Sequence, residues 1–347
     1  VKVAVVGVGR WGVNHVRVLC ELSRAADKEL EVDEVIVVDK DLARARHVAK
    51  RYGASRYLSD LSELINSGVD AAIVAVPTVY HYEVAMKLLP HMDVLVEKPI
   101  AAKLEEAEEM ARTAEREGRL LAVGHIERFN PVVPALKDKL ASEEEEVIHV
   151  IAQRVGPGPA KGYTLNLGVA HDLLVHDVDV ICYLLNSLPS SVFAKAFWEP
   201  GYEYETEVIA MYTFEELGVT AELRASWRAS PRFKRRTISI QLRSKLIEAD
   251  YILQTIRVER GLVEHRSRGE YSELISAYTS RVRETWSMLG IKREPLLLED
   301  AHFLRCVARG EKPLNSWEVG LRALKCVLAA LDSARSRTPI SIEWEAQ

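Results

Sequence analysis

Short β-branched runs alternate with segments of helical period along the first third of the chain. Val1–Val6 (VKVAVV) opens the series and closes on a glycine, and a helical pattern follows over Trp11–Ala26. Glu34–Val38 (EVIVV), Ala71–Val76 (AAIVAV), Val94–Val96 and Leu120–Val123 repeat the strand signal. Asp41–Tyr52, Leu61–Asn66, Thr78–Leu89 and Leu104–Glu117 repeat the helical one, with Gly53 and Gly118 as stops. Runs that are apolar throughout suit strands covered on both faces, as in parallel sheets. The alternation predicts an α/β domain over residues 1–125 built on a doubly wound parallel sheet. Its ligand is expected at the carboxyl ends of the strands.

After Phe129 the pattern changes. Pro131–Leu140 reads as a connecting helix, Ser142–Glu146 as a solvated turn, and Val147–Val155 as a strand. A loop rich in Gly and Pro, Gly156–Gly168, precedes a helix over 168–186; it reads equally as a lid or as an ordinary exposed loop. From Ser191 to Arg268 strands with alternating faces dominate, among them Glu207–Phe214, Val219–Trp227, Thr237–Leu242 and Leu246–Ala249. Helices over Leu296–Arg309 and Trp317–Ala334 and a strand over Pro339–Trp344 complete the chain. Residues 126–347 are therefore expected to form an α+β domain with a large, open, mostly antiparallel sheet. The free face of that sheet would serve a homo-oligomer, a dimer or tetramer. The late helix 317–334 is expected to reach back to the first domain.

Composition narrows the class. A net charge of −5 argues against a dedicated nucleic-acid binder, and the basic cluster Arg228–Arg236 reads as a solvated hairpin or an interface. The apolar runs are far shorter than the roughly 20 residues that a membrane span needs. The opening run reads as a strand and not as a signal peptide. Cys20, Cys182, Cys306 and Cys326 are scattered with no C-x-x-C pair. Together these lead us to expect a cytoplasmic protein with no disulfide framework and no bound metal.

Between the first strand and the first helix stands GVGRWG, with Gly7, Gly9 and Gly12 in the G-x-G-x-x-G spacing and Arg10 and Trp11 between them. In that context the motif is the Rossmann turn. Its glycines allow a tight bend, close approach of a pyrophosphate, and close helix–strand packing. Asp39 ends the second strand, where a carboxylate takes the ribose hydroxyls of NAD and repels a 2′-phosphate. Lys40 and Arg44 keep NADP open, since either cation suits a phosphate. Pro77-Thr78, Glu97-Lys98 and Gly124-His125 also fall at strand ends.

The second concentration of chemistry is His171–Asp179 (HDLLVHDVD), five ionisable side chains in nine residues. On an α-helix Asp172, His176 and Asp179 share a face. His171 and His176 stand about 140° apart round such a helix, which disfavours a metal site. An acid/base pair and a wet polar face both remain open.

A glycine-turn domain, an E-K-P after the strand Val94–Val96, and a D-x-x-x-H-x-x-D helix in a second α+β domain together resemble the Gfo/Idh/MocA oxidoreductase family (glucose-fructose oxidoreductase/inositol dehydrogenase). The likeness spans nearly the whole chain. It implies that Lys98, Asp172 and His176 form the catalytic set. It also implies that the nicotinamide end of the cofactor lies near Pro77, Thr78, His81 and Glu97. A narrower likeness rests on GVGRWGVNHVR and GHIERFNP. It points to the branch acting on nucleotide-linked amino sugars, including UDP-N-acetylglucosamine 3-dehydrogenases. Hydride transfer from a secondary alcohol to NAD leaves a proton for the protein to take. An imidazole of ordinary pKa, about 6.5, suits that task at His176, with Lys98 steadying the oxygen and Asp172 orienting the histidine. His125, Arg128, Asn130 and Tyr163 are candidate substrate contacts, with structural roles for the first three equally open. The expected activity is oxidation of a secondary hydroxyl of a sugar, a nucleotide-linked amino sugar first. A free polyol or simple sugar, or a silent cofactor-binding sensor, stands as the alternative.

Overall fold

The computed structural model describes residues 1–25, 30–158, 167–260, 282–287 and 294–344. The chain divides into two compact units. One gathers Val1–Phe129, Lys161–Asp179 and Arg293–Lys325; the other gathers Asn130–Ala160, Val180–Lys292 and Cys326–Gln347.

The first unit is built on a six-stranded sheet: β1 (Lys2–Val6), β2 (Glu34–Val38), β3 (Arg56–Leu58), β4 (Ala71–Val74), β5 (Asp93–Val96) and β6 (Leu121–Val123). Their order is 3-2-1-4-5-6 and every pairing is parallel. The strand order reverses between β1 and β4, which places a ligand crevice outside the carboxyl ends there. Helices α1 (Gly12–Leu22), α2 (Leu42–Tyr52), α3 (Leu61–Ile65), α4 (His81–Leu88) and α5 (Leu104–Glu117) provide the crossovers. Asp41 caps α2 by accepting the Arg44 N–H at 3.0 Å, and Asp60 caps α3 through the Ser62 N–H at 2.8 Å. The residues anticipated over Thr78–Leu89 split into a 3-10 turn, Thr78–Tyr80, followed by α4. Strand β3 carries no apolar run; only Leu58 of its three residues is buried, so the hydrophobic pattern does not announce it.

The core of this unit draws in a late segment. Leu296, Ala301, Phe303 and Leu304 of the helix Pro295–Arg309 are buried with Val3, Val5, Val16, Leu19 and Val37 in one cluster. Further on, Asn315 pairs with the end of β6: its carbonyl accepts the Val123 N–H and its amide donates to the Val123 carbonyl at 2.7 Å.

The second unit carries a nine-stranded sheet. Its strands are β7 (Val147–Val155), β8 (Ser191–Trp198), β9 (Glu205–Phe214), β10 (Val219–Ser226), β11 (Arg235–Leu242), β12 (Lys245–Asp250), β13 (Thr255–Arg260), β14 (Val282–Ser287) and β15 (Ile340–Ser341), in the order 14-13-12-11-7-10-9-8-15. Only β7 and β10 run parallel; the remaining pairs are antiparallel. The period-2 alternation buries Val208, Ala210, Tyr212 and Phe214 on one face of β9 and leaves Ile209 and Met211 on the other. The terminal strand is shorter than the pattern Pro339–Trp344 suggests, because only Ile340 and Ser341 pair with β8. Helix α6 (Val132–Ala141) is tied to the chain at Tyr183, whose carbonyl accepts from Lys137 at 2.6 Å.

Phe303→Ala is expected to cost about 3–5 kcal/mol, the usual figure for emptying a buried phenylalanine site. Denaturant unfolding checks this; a loss below about 1 kcal/mol would remove that helix from the core.

Candidate active site

The strand ends bring the first group of residues together. At the end of β1, Gly7 takes a left-handed φ of 87°, and its N–H donates to the Val38 carbonyl at 2.8 Å. A Cβ at Gly12 would stand 1.9 Å from the Gly7 carbonyl oxygen, so no other residue fits that bend. Gly9, Arg10 and Trp11 are exposed along its rim. No side chain caps α1, whose N-terminal N–H groups are those a pyrophosphate takes in a dinucleotide fold. Asp39 is buried at the end of β2. It accepts the Val8 N–H at 3.0 Å and the Asp41 N–H at 2.9 Å, with the Arg44 guanidinium 3.4 Å away. A tight glycine bend, an uncapped helix start and a fixed carboxylate beside them fit a dinucleotide.

Pro77 and Thr78 follow β4 with Pro77 exposed and Thr78 half-buried. His81, in the next turn, is buried between the Pro99 and Val76 carbonyls, each 2.9 Å from a ring nitrogen. Burial lowers its pKa against the pull of those carbonyls, which keeps the ring neutral near pH 7. A neutral ring has one N–H, so it donates to one of the two carbonyls and packs against the other.

Glu97 is buried after β5. Its Oε1 accepts from the Trp11 indole at 2.5 Å and from His15 Nε2 at 2.9 Å, and its Oε2 accepts the Lys98 N–H at 3.1 Å. Burial works to raise the Glu97 pKa. The hydrogen bond and charge of His15, then the Trp11 bond and the Lys98 charge, outweigh it and hold the carboxyl below its usual range.

Lys98 Nζ meets the stretch that stood out in the sequence. It lies 3.0 Å from Asp172 Oδ1 and 2.7 Å from the Asp172 carbonyl oxygen, across 74 residues of chain. The helix expected over 168–186 does not start as an α-helix. Ala170–Leu174 forms a π turn, with the Val175 N–H bonded to the Ala170 carbonyl five residues back, and α7 (Val175–Leu185) follows. In that turn residues five apart draw nearer round the axis than α geometry allows, so the wide separation of His171 and His176 inferred from an α-helix does not carry over. Both rings are buried. Among the described residues, no group of three or more His, Cys, Asp or Glu side chains is arranged to hold a metal ion.

Arg128 turns Nε and Nη2 to the Asp179 carboxylate, the latter at 2.7 Å, and Nη1 to the Leu314 carbonyl at 3.1 Å. His125 Nδ1 lies 3.5 Å from the same carboxylate, and burial lowers its pKa despite that charge. Asn130 belongs to the other compact unit, where its amide donates to the Tyr251 carbonyl at 3.1 Å. Tyr163 and most of the loop Gly156–Gly168 lie outside the described residues.

His15, Glu299, Asp300 and Asn315 belong to no motif that marks them in the sequence. All four are buried, and His15 Nδ1 sits 2.9 Å from Asp300 Oδ1. The only advance sign was a polar side chain on the otherwise apolar face of each helix: His15 among Val16, Val18 and Leu19, and Glu299-Asp300 in PLLLEDAHFL.

Residues 1–125 match the model described as "Oxidoreductase family, NAD-binding Rossmann fold", and residues 146–243 match the Gfo/Idh/MocA C-terminal domain. The chain is similar to scyllo-inositol 2-dehydrogenase (NAD(+)) of Bacillus subtilis, with 26% identity over 99% of this chain and 96% of that protein. It is also 26% identical to UDP-N-acetylglucosamine 3-dehydrogenase of Acidithiobacillus ferrooxidans, over 94% of this chain and 95% of that one. Its fold is like that of levoglucosan dehydrogenase in complex with NADH and levoglucosan, with a TM-score of 0.87 at 17% identity, covering 99% of this chain and 100% of that one. With the Rossmann turn, Asp39 and the E-K-P turn in one unit and a large mixed sheet in the other, the chain belongs to the Gfo/Idh/MocA family of NAD-binding oxidoreductases.

Proposed function

We propose that this protein is an NAD-dependent dehydrogenase that oxidises a secondary hydroxyl of a sugar or polyol. The observation that carries the reading is the Lys98–Asp172 contact at 3.0 Å, at the carboxyl end of β5 and beside the dinucleotide turn. NAD, when bound, supplies the hydride acceptor. Lys98 acts as the cation at the reacting oxygen. An ammonium has three donors; among the described residues Asp172 takes two, leaving a third for the substrate hydroxyl. His176, one turn beyond Asp172, takes the proton as the C–H bond gives up its hydride and the alcohol becomes a ketone. Asp172 fixes the lysine, and Glu97 and His81 shape the turn from which it projects.

Two substrate classes divide the reading. A free polyol or simple sugar is the primary one, because Arg128 turns its fork to Asp179 and not outward to a diphosphate. Similarity to the B. subtilis inositol dehydrogenase along almost the full chain supports it. A nucleotide-linked amino sugar is the second, carried by GVGRWGVNHVR, by GHIERFNP and by the similarity to the A. ferrooxidans protein. Purified protein mixed with NAD and a panel of polyols, free sugars and UDP-sugars separates them by the appearance of reduced-nicotinamide absorbance. Absence of signal with every member would return the protein to the sensor class.

We further propose that the open face of the nine-stranded sheet joins copies into a dimer or tetramer. Ile209, Met211 and Phe197 are all more than two-fifths exposed on that sheet, a density of apolar surface that interfaces favour.

Lys98→Ala or His176→Ala is expected to lose at least about a hundredfold in turnover while NAD still binds, the low end for general acid–base catalysis. Near-normal rates in both would remove these roles. Asp39→Ala is expected to lose NAD affinity while NADP affinity holds or improves, as checked by fluorescence titration; an unchanged preference would count against it. Replacing Ile209 and Met211 together by Glu is expected to lower the mass found by sedimentation, and a wild-type monomer would refute the interface.

A further inference from the structure

The E-K-P turn rests on a chain of buried side chains that the proposed chemistry does not use. His15 has no exposed surface, and both of its ring nitrogens face carboxylates: Nδ1 lies 2.9 and 3.1 Å from the Asp300 oxygens, and Nε2 lies 2.9 Å from Glu97 Oε1. An ionised carboxylate only accepts, so both nitrogens must donate and the ring must be a cation. We propose that His15 is a positioning residue of this oxidoreductase: it holds the Glu97 carboxylate as a clasp between the dinucleotide turn and the backbone that carries Lys98.

The clasp has identifiable parts. Glu97 Oε1 takes the indole N–H of Trp11, which stands in the glycine turn, and Oε2 takes the N–H of Lys98. A third segment closes over it: a Cβ at Gly124, just after β6, would lie 2.9 Å from the Glu97 carboxyl, so a larger residue there would have to displace that carboxyl. His15 reaches Glu97 from α1, and Asp300 holds His15 from the helix Pro295–Arg309. Three elements far apart in sequence therefore converge on one carboxylate, one residue before the lysine.

Charge explains why a histidine stands there. Glu97, Asp300 and Glu299 are three buried carboxyl groups around one imidazole, with the Lys98 charge and His125 also near Glu97. Burial opposes the charge on His15, but the charge and hydrogen bond of Asp300, followed by those of Glu97, raise its pKa well above 6.5. Glu299 goes the other way from Glu97. Burial and the charges of Glu97 and Asp300 raise it well above 4.5, and its Oε1 accepts the Asn315 amide N–H at 3.3 Å. Burial likewise raises Asp300, with His15 pulling against it. Glu97 is thus the carboxylate that His15 keeps ionised. Its pKa is lowered in the fold, so its charge is present through neutral pH and is lost only as pH falls through that low value. Without the imidazolium, burial governs Glu97; its pKa rises and its charge returns only at higher pH.

The inference rests on the dehydrogenase reading for its effect on turnover and has a second readout that does not. His15→Phe keeps a ring in the cavity and removes both donors. In the full-length variant, turnover at neutral pH is expected to fall by up to about a hundredfold, the scale of a misplaced reacting group, with a smaller loss in NAD affinity. The turnover profile should gain a limb that rises with pH as Glu97 ionises, at higher pH than in the wild type, and Glu97→Gln in the same background should abolish that limb. The independent readout is the Trp11 indole N–H resonance, assigned by Trp11→Phe. It is expected to move on His15→Phe at neutral pH and to return as pH rises. An unmoved, non-titrating indole signal overturns the clasp whether or not any sugar is oxidised; a titrating signal in a protein that oxidises no sugar supports the clasp and rejects the dehydrogenase reading. Should His15→Phe fail to fold, Asp300→Asn leaves the ring and removes one of its anions. The Trp11 signal is then expected to titrate at lower pH values than in His15→Phe but above wild type, and a wild-type response overturns the proposal.

Discussion

A charge cut off from water has to be matched by another charge or by directed donors, and Glu97 is matched on every side. Its carboxylate accepts from Trp11, His15 and the Lys98 N–H, and each donor belongs to a different part of the first unit or reaches it from one. The dinucleotide turn and the lysine turn are consequently not free to drift independently. Removing one donor would leave a buried charge short of partners, which is why the arrangement behaves as a unit. His81, whose ring lies between the Val76 carbonyl after β4 and the Pro99 carbonyl of the lysine turn, donates to one of them and packs against the other. The geometry presented to a substrate at Lys98 is thus set by groups that need never touch one.

The parts of this arrangement that were legible from sequence are those with a local signature. Continuous apolar runs announced β1, β2, β4 and β5, and G-x-G-x-x-G with Asp39 announced the cofactor turn, because strand burial and bend geometry depend on neighbouring residues. The two-residue period likewise revealed the second sheet. Strand β3 escaped because it lies at the sheet edge with two of its three side chains exposed. The π turn at Ala170–Leu174 escaped for another reason: its composition, AHDLL, is helical, and the extra residue per turn is a backbone choice that side-chain pattern does not encode.

Partnerships over long distances were less legible still. His15 and Asp300 are separated by 285 positions, and nothing local marks either as the other's counter-charge. Arg128 illustrates the same limit. Read alone, a buried arginine near a strand end suggests an anion from outside; in the fold its fork faces Asp179, on the very helix whose acidic residues drew attention. Lys98 and Asp172 lie between these extremes. Each stood out locally, but only family resemblance suggested that they meet.

The discontinuity of the first unit also bears on how the chain folds as it is made. Its core needs Leu296, Phe303 and Leu304, and its buried histidine needs Asp300, yet its last sheet strand ends at Val123. At typical synthesis rates the ribosome takes roughly 10 to 40 s to pass from Phe129 to Lys325, and for that time His15 and Glu97 lack Asp300 beside them. The carboxylate that holds His15 from the far side of Glu97 is therefore added late in translation, after most of the nine-stranded sheet has been made.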